Sequence, residues 1–351
     1  MEVVVIGSQF RNFVETGPRT APITFHSHAS PQESLRAEIN APRLIACIDD
    51  GDMARSISSQ ALAIACSLGL EVTFARVIDA PGQFASPADP IEWQLRRRVQ
   101  QDNLRRFAGC KEAQVVANSV LLAGAPAQEL SDWALEHGGT MLATGRRRSE
   151  GKKGLGSTTL SLLERGEHSL LVIPPGFERE AGYRRIMVPV DGSDRGDSVL
   201  PVARRIARTH GAELVLVHVV PQVELSEKGQ GAQLRHLSSE LDKHRERCGI
   251  KHLETLRRRS QEDGVDVRTI IRGPGDARSI LREVLATEQI DLVVMASHGV
   301  TGLSDVACGS VAEYLAGHSP VPLMIVRPNL RCSFGPEAAD CRNQSVFRFE
   351  G

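Results

Sequence analysis

The sequence predicts an α/β protein made of two tandem, doubly wound parallel sheets. Its 351 residues give room for about two domains. Aromatic residues are only 4% of the chain, so the core must be aliphatic, which suits buried parallel strands packed against helices. Short apolar runs alternate with amphipathic stretches, and the whole succession occurs twice. This alternation is typical of repeated β-α-β units.

The composition argues against several classes of protein. Lys and Arg total 42 and Asp and Glu total 43, a net charge of -1, which disfavours a protein that coats nucleic acid or an anionic membrane. We find no apolar run long enough to span a bilayer and no secretory signal in the first twenty residues. The seven cysteines are scattered and form no C-x-x-C pair, so neither a disulfide framework nor a zinc module is expected. We therefore expect a cytoplasmic location.

An internal repeat divides the chain. Two blocks of the first part align without gaps on two blocks of the second, namely residues 43–79 on 185–221 and residues 142–175 on 295–328. The second alignment pairs Gly156-Ser157 with Gly309-Ser310. Because the blocks occur in the same order, they indicate a duplication.

The duplication predicts the domain boundaries. We expect a poorly ordered leader and tail, because both lack apolar periodicity. The predicted segments are a leader (1–42), the first copy (43–176), a linker (177–183), the second copy (184–328) and a tail (329–351).

The strands are predicted from five Val-, Ile- and Leu-rich runs in each copy. These runs are continuous rather than alternating, as expected when both faces of a sheet are covered. In the first copy they are residues 44–48, 71–78, 115–121, 140–144 and 169–173. In the second copy they are residues 186–190, 213–220, 265–271, 291–296 and 323–326.

The amphipathic stretches between the strands predict four helices per copy. In the second copy these are residues 198–209, 234–259, 277–288 and 310–316. Gly211, Gly264 and Gly317 stand near the expected helix ends, where glycine is common. Strand-helix-strand connections of this kind are right-handed and give parallel sheets.

Two polar loops of the second copy are candidates for a binding site. Asp191 follows the first strand, and Gly299 follows the fourth. Ligands of open α/β sheets bind beyond the carboxyl ends of the strands where the strand order reverses, so the two loops form one site if these strands are neighbours. Gly309 then opens a helix whose free N–H groups suit a phosphate, and Ser310 can add a hydroxyl contact.

The same residues fit a purely structural interpretation. Gly and Ser after a strand are common in plain turns, and both Asp191 and Ser310 are ordinary helix-capping residues. The pattern of residue types alone leaves the two interpretations open.

Three stretches of the second copy resemble the universal stress protein family of UspA type. They read VPVDGSD, LVHVV and ASHGVTGLSDVACGSVAEYLAGHSPVPLMIVRP, and the resemblance covers residues 43–328 in two tandem copies. The nucleotide-binding signature of the family is G-x-x-G, nine residues, then G-[ST]. This chain has Gly299 and Gly309-Ser310 at the matching positions but Ala296 at the first, which can cost a positive-φ conformation or crowd a phosphate.

The resemblance implies a Rossmann-like fold of the adenine nucleotide alpha hydrolase type, with strand order 3-2-1-4-5 in each copy. It also implies binding of ATP, with or without Mg²⁺. Asp191 would contact adenosine near its base and ribose, and Pro189 and Val219 would line the adenine pocket. His298 lies within the loop, where we expect packing rather than catalysis. The ribose and phosphates would be held by Ala296, Gly299, Gly309, Ser310 and Val311.

The first copy departs from this pattern. Its corresponding candidates, for a weaker second site, are Asp49, Gly145, Arg146, Gly156 and Ser157. Arg146 replaces the family glycine, and residues 145–156 carry five basic side chains. Either this charge replaces backbone contacts in a looser anion or nucleotide site, or the loop is a solvated basic segment over a lost site.

These observations favour an ATP-binding stress protein that acts as a sensor or regulator, mainly through its second copy. We recognise no positioned general base, no catalytic residue and no metal-ligand set, so we expect at most a weak ATPase. The alternatives are a nucleotide-free structural or chaperone-like stress protein, and a slow ATPase or adenine-nucleotide hydrolase.

The last strand of each copy, residues 169–173 and 323–326, would leave an apolar sheet edge that needs covering. The family resemblance implies that such edges pair, within one chain as a pseudo-dimer or between chains as a homodimer. A protein partner is expected but not identified, and no nucleic-acid or membrane partner is expected.

Overall fold

A computed structural model describes residues 42–49, 51–78, 90–108, 115–147, 154–178, 182–222, 232–299, 307–328 and 330. Apart from residues 42 and 330, the predicted leader and tail lie outside this range. We call residues 42–178 the first half and residues 182–330 the second half.

The first half contains five strands and four helices in its described part. The strands are β1 (Arg43–Cys47), β2 (Glu71–Ile78), β3 (Ala117–Ala123), β4 (Gly139–Gly145) and β5 (Ser169–Ile173). The helices are α1 (Ala54–Leu68), α2 (Pro90–Ala108), α3 (Pro126–Glu136) and α4 (Ser157–Arg165).

The second half repeats this order and adds one short helix. Its strands are β6 (Arg185–Pro189), β7 (Glu213–Pro221), β8 (Val267–Gly275), β9 (Leu292–Ala296) and β10 (Leu323–Val326). Its helices are α5 (Asp194–Asp197), α6 (Leu200–His210), α7 (Ala232–Glu262), α8 (Ala277–Thr287) and α9 (Ser310–His318).

All ten strands belong to one sheet, in the order β3-β2-β1-β4-β5-β10-β9-β6-β7-β8. Within each half the strands are parallel and follow the order 3-2-1-4-5. The predicted α/β class is therefore confirmed. The two predicted sheets are the halves of one continuous sheet.

The halves join through β5 and β10, which pair antiparallel. Met324 stands opposite Leu171, and both side chains are fully buried. The sequence left open whether these apolar edges pair within one chain or between chains. In this structure they pair within one chain.

Several predicted element ends were wrong by a few residues. The third strand of each half begins two residues later than predicted and extends further, as β3 and β8. Helix α7 is longer at both ends than predicted. The predicted helix 198–209 corresponds to α6, and the short helix α5 before it was not predicted. Helix α5 begins after Ser193, whose hydroxyl caps this short helix by accepting from Gly196 N–H.

The core is aliphatic, as the composition predicted, and it runs through both halves. One cluster of buried side chains packs under α1, α2, α6 and α7, and the other under α3, α4, α8 and α9. Each sheet face is therefore covered, which explains the continuous apolar strands. Within the described residues, no helix combines the length and apolarity needed to cross a membrane.

The predicted linker is partly built into this core. Tyr183 is only 3% exposed, and its hydroxyl donates to Gln60 of α1 over 2.7 Å. The Tyr183 ring also packs edge-on against His210 of α6, with ring centres 5.0 Å apart.

Candidate functional site

The strand order reverses at β6, which lies between β7 and β9. The predicted condition for a single site is thus met, because the strands that precede the two polar loops are neighbours. The loops also touch: a Cβ at Gly299 would overlap the carboxylate of Asp191. A side chain at position 299 would therefore displace this carboxylate.

The loop after β6 holds the Asp191 carboxylate in a fixed orientation. Its Oδ1 accepts from the backbone N–H of Ser193 over 3.1 Å and from the Ser193 hydroxyl over 2.6 Å. Gly196 follows directly, and a Cβ there would lie 2.6 Å from the same Oδ1. Small residues around Asp191 thus keep the carboxylate at the carboxyl edge of the sheet.

The loop after β9 is tied to the start of α9. Gly309 N–H donates to the carbonyl of Ser297 over 2.7 Å, and Ser297 N–H donates to Val326 O over 3.3 Å. The Ser297 hydroxyl and His298 Nδ1 lie 3.1 Å apart. These contacts make His298 part of the loop's own packing.

Helix α9 begins without a side-chain cap. Its N-cap residue is Gly309, whereas Ser193 caps α5 and Asp276 caps α8 with side-chain oxygens. The first N–H groups of a helix have no partner inside the helix. A Cβ at Gly309 would lie 3.2 Å from Ser297 O, so a side chain at position 309 would crowd this end of α9.

The remaining predicted residues lie around these loops. Pro189 and Ala296 are the half-buried last residues of β6 and β9, and Val219 is a half-buried residue near the end of β7. Val311 is half-buried in the first turn of α9, and Ser310 is exposed there. The structure thus brings Asp191, Gly299 and Gly309 into one edge region, with the other predicted residues beside them.

A half-buried acid–base pair accompanies the loop after β6. Asp197 of α5 and His252 of α7 lie 3.0 Å apart. Burial raises the pKa of Asp197 above its usual range, while His252 opposes this effect and the nearby Asp191 and Asp194 add to it. Sequence reasoning missed this pair, because 55 residues separate the partners and neither stands in a motif.

The corresponding region of the first half has a different arrangement. Asp49 forms an ion pair with Arg147, and its Oδ1 accepts from Gly51 N–H over 2.8 Å. Arg146 is half-buried, which lowers the pKa of its guanidinium. Its backbone N–H donates to Ile173 O over 2.7 Å. The sequence identified the basic run but not Arg147 as the residue that reaches Asp49.

The other first-half candidates keep the helix start. Gly156 precedes α4 without a side-chain cap, Ser157 is exposed, and Gly145 ends β4. Thr159 of α4 donates to Gly145 O over 3.2 Å. The other basic residues of this run, Arg148, Lys152 and Lys153, lie outside the described residues.

Two clefts lie at the carboxyl edge of the sheet. One, of about 430 Å³, adjoins Asp49 and has Arg76, Leu104, Arg106 and Phe107 in its wall. The other, of about 370 Å³, lies between β7, β8 and α7 and contains none of the predicted residues. Among the described residues, no three His, Cys, Asp or Glu side chains are grouped as a metal site would require.

Comparison with known proteins identifies the family. The model of the Universal stress protein family matches residues 41–174 and again residues 182–327. The chain belongs to the universal stress protein family. The two matches cover most of the chain, so this universal stress protein carries the family unit twice in tandem.

Its curated relatives correspond in length to one half. Universal stress protein YxiE of Bacillus subtilis is 28% identical over 148 residues, which are 41% of this chain and 99% of the relative. Universal stress protein MJ0531 of Methanocaldococcus jannaschii is 32% identical over 148 residues, which are 41% of this chain and 82% of the relative.

A solved structure of tandem length has the same fold. The universal stress protein from Archaeoglobus fulgidus covers 81% of this chain and 95% of its own, with a TM-score of 0.59 and 18% identity. The likeness therefore extends over both halves of the sheet.

Proposed function

We propose that this universal stress protein binds an adenine nucleotide, ATP in the first place, in its second half. Binding would make it a nucleotide-dependent regulator of a stress response rather than an efficient enzyme. The observation that carries the proposal is the contact between Asp191 and Gly299 at the point of strand reversal, beside the uncapped start of α9. This is the place where open α/β sheets bind ligands.

Each part of the nucleotide has a matching group in the proposal. The Asp191 carboxylate would accept hydrogen bonds from the ribose hydroxyls or the adenine amino group. Pro189 and Val219 would line the side of the base. The phosphates would lie at the N-terminus of α9, where backbone N–H groups and the helix dipole favour an anion.

The fit of a phosphate to α9 depends on Gly309. Its N–H donates to Ser297 O, which joins the start of α9 to the residue that follows β9, and the N–H groups of Ser310 and Val311 stand in the first turn of the helix. We find no group of metal ligands among the described residues, and we therefore propose that any Mg²⁺ comes with the triphosphate and is bound mainly by it.

We propose that the first half retains at most a weaker anion site. Arg147 neutralises Asp49, the counterpart of Asp191. A ribose hydroxyl would have to compete with a guanidinium for this carboxylate, which is an unfavourable exchange. The adjoining cleft carries Arg76 and Arg106 in its wall, so an anionic ligand fits it better than the adenosine part of a nucleotide.

The first experiment asks whether the protein carries or binds nucleotide. The purified protein is denatured, and the supernatant is analysed by chromatography for ATP, ADP and AMP. Calorimetric titration with ATP, with and without magnesium, follows. The proposal expects nucleotide in one of the two measurements, and its absence from both would leave the structural or chaperone-like alternative.

The second experiment locates the site with matched substitutions. Gly309→Asp places a carboxylate against the proposed phosphates, and Gly156→Asp makes the same change in the first half. The two glycines have nearly the same backbone conformation, with φ of -69° and -68°, but a Cβ is more crowded at Gly309, 3.2 Å from Ser297 O, than at Gly156, 3.7 Å from the Cβ of Arg147. Gly309→Ala therefore serves as the control for crowding alone. We expect ATP binding to be lost only in Gly309→Asp, whereas loss only in Gly156→Asp would move the site to the first half.

Turnover separates the regulator from the enzyme. ATP hydrolysis is measured with the wild-type protein and with Gly309→Asp. Enzymes typically turn over about 1–1000 times per second. A rate in this range that Gly309→Asp abolishes would replace the regulator by the hydrolase alternative.

A further inference from the structure

We propose that Arg327 positions the start of α9 by anchoring it to the first half, so that phosphate binding in the second half depends on the turn between α4 and β5. The ligand part of this inference rests on the proposed nucleotide function. The anchoring part concerns the ligand-free protein and is tested separately below.

Arg327 follows β10 directly and is only 7% exposed. Its guanidinium donates to Ala307 O over 2.6 Å, which lies two residues before Gly309. It also donates to two carbonyls of the first half, His168 O over 3.1 Å and Leu163 O over 3.3 Å. One side chain therefore connects the loop before α9 with the end of α4 and the start of β5.

The burial of this guanidinium calls for a specific reason. A buried charge has lost its hydration, so it is costly unless it is fully hydrogen-bonded. Burial accordingly lowers the pKa of Arg327 below its usual range. The planar fork of arginine spreads its N–H donors over three nitrogens, here one for each carbonyl, whereas lysine offers its donors from a single nitrogen. By donating to these three carbonyls, the guanidinium of Arg327 holds together segments that are distant in sequence.

The first half also touches the loop directly. A Cβ at Gly166 would lie 3.1 Å from the Cβ of Ala307 and 3.4 Å from Nη1 of Arg327. Gly166 ends α4 with a φ of 72°. The turn that follows it is itself braced, because Ser131 of α3 contacts both Glu167 and His168.

Within the described part of the chain, the anchor has no counterpart in the first half. The repeat alignment places Pro174 at the position of Arg327, and proline offers no side-chain donor. The first-half loop also meets the second half, since a Cβ at Gly154 would lie 2.9 Å from Gly317 O. Among the residues that the structure describes, however, a guanidinium joins only the loop before α9 to the other half.

A matched pair of glycine substitutions in the first half tests the coupling. Gly166→Ala presses on Ala307 and Arg327. Gly176→Ala imposes the same backbone strain, with a φ of 73°, where nothing lies within 4 Å. We expect Gly166→Ala to lower ATP affinity about tenfold, as coupling energies between packed sites allow, while Gly176→Ala leaves it unchanged.

Adenosine distinguishes positioning of the phosphate region from general damage. Adenosine lacks phosphates, so its affinity should be the same in wild type, Gly166→Ala and Gly176→Ala. Equal losses for ATP and adenosine in Gly166→Ala, or no loss for ATP, would overturn the coupling.

Hydrogen exchange tests the anchor without any ligand. The Gly309 amide donates to Ser297 O and should be protected in the wild type. We expect the Gly309 amide to exchange about tenfold faster in Gly166→Ala and in Arg327→Lys than in the wild type. Exchange in β2 and α1 should be unchanged in both variants, and Gly176→Ala should match the wild type throughout. If the Gly309 amide exchanges at the wild-type rate in both variants, the anchor is refuted, whether or not the protein binds nucleotide. Failure to bind nucleotide would by itself refute only the proposed function.

Discussion

Two corresponding aspartates have different neighbours in the two halves. Asp191 lies against Gly299, whereas its counterpart Asp49 is paired with Arg147. The sequence predicted both carboxylates from one alignment. It could not predict their difference, because an ion pair depends on where a side chain 98 residues away is placed.

Substitution of these two carboxylates should separate the halves. Asp191→Ala removes the proposed contact to adenosine, so affinities for ATP and for adenosine should both fall about tenfold, the value of roughly one charge-assisted hydrogen bond. Asp49→Ala should leave both affinities unchanged. Calorimetry with the two ligands measures this, and a loss confined to ATP would assign Asp191 to the phosphates instead.

A buried histidine gives the protein a defined pH dependence. Burial lowers the pKa of His168 below its ordinary 6.5, although its contacts with Ser131 and Glu167 oppose this. Burial also lowers the pKa of His210. As the pH falls, the two histidines take up protons in the unfolded chain before they do so in the folded protein. Their neutral forms therefore contribute their full share of the free energy of unfolding above pH 6.5, and this contribution is lost as the pH falls below it.

His168→Gln should reduce this loss. Urea unfolding between pH 7.5 and 5.5 should show a smaller fall in the free energy of unfolding than in wild type. One histidine contributes a slope of at most about 1.4 kcal/mol per pH unit. His210 remains, so the slope should not vanish. The exposed His244→Gln serves as control, and an unchanged slope in His168→Gln would contradict the assignment.

At the scale of elements, helix α7 shows how packing overrides local preference. Gly249 lies in the middle of this helix, where alanine is ordinarily more favourable by about 1 kcal/mol. A Cβ at Gly249, however, would lie 2.5 Å from Cδ2 and 2.8 Å from Nε2 of His218 on β7. The glycine therefore lets α7 approach the sheet.

We expect Gly249→Ala to destabilise the protein by about 1–3 kcal/mol, the usual effect of overpacking. In a His218→Ala background the clash is absent, and the same change should be neutral or stabilising. Urea unfolding of the four proteins measures the coupling. Stabilisation by Gly249→Ala alone would show that the helix can move away without cost.

At the scale of the whole molecule, the halves share one sheet and continuous cores. The β5–β10 pairing lies in the middle of the ten strands, and each core cluster contains side chains from both halves. Unfolding of one half would expose the buried edge and core surface of the other. The chain should therefore unfold as one cooperative unit.

The two tryptophans, Trp93 and Trp133, both lie in the first half and report its unfolding. Leu315 of α9 in the second half is fully buried. Leu315→Ala should cost about 2–5 kcal/mol and lower the midpoints of tryptophan fluorescence and circular dichroism together. A fluorescence midpoint that stays at the wild-type value would show that the halves unfold independently.

The sequence by itself determined the fold class, the duplication and most strands. Apolar runs specify buried strands, and repeated residues specify a repeated unit, and both signals are local. It also identified Asp191, Gly299 and Gly309, which the structure brings to one edge of the sheet. Their role in nucleotide binding stays a proposal.

Only the tertiary structure decided which edges pair and which groups meet across the halves. The β5–β10 pairing, the Asp49–Arg147 ion pair and the three carbonyls around Arg327 join segments that are far apart in sequence. Residue types fix what a side chain can bond, but its partner is set by the packing of the whole chain. For this reason the sequence predicted a candidate site, whereas the structure was needed to show how that site is connected to the other half.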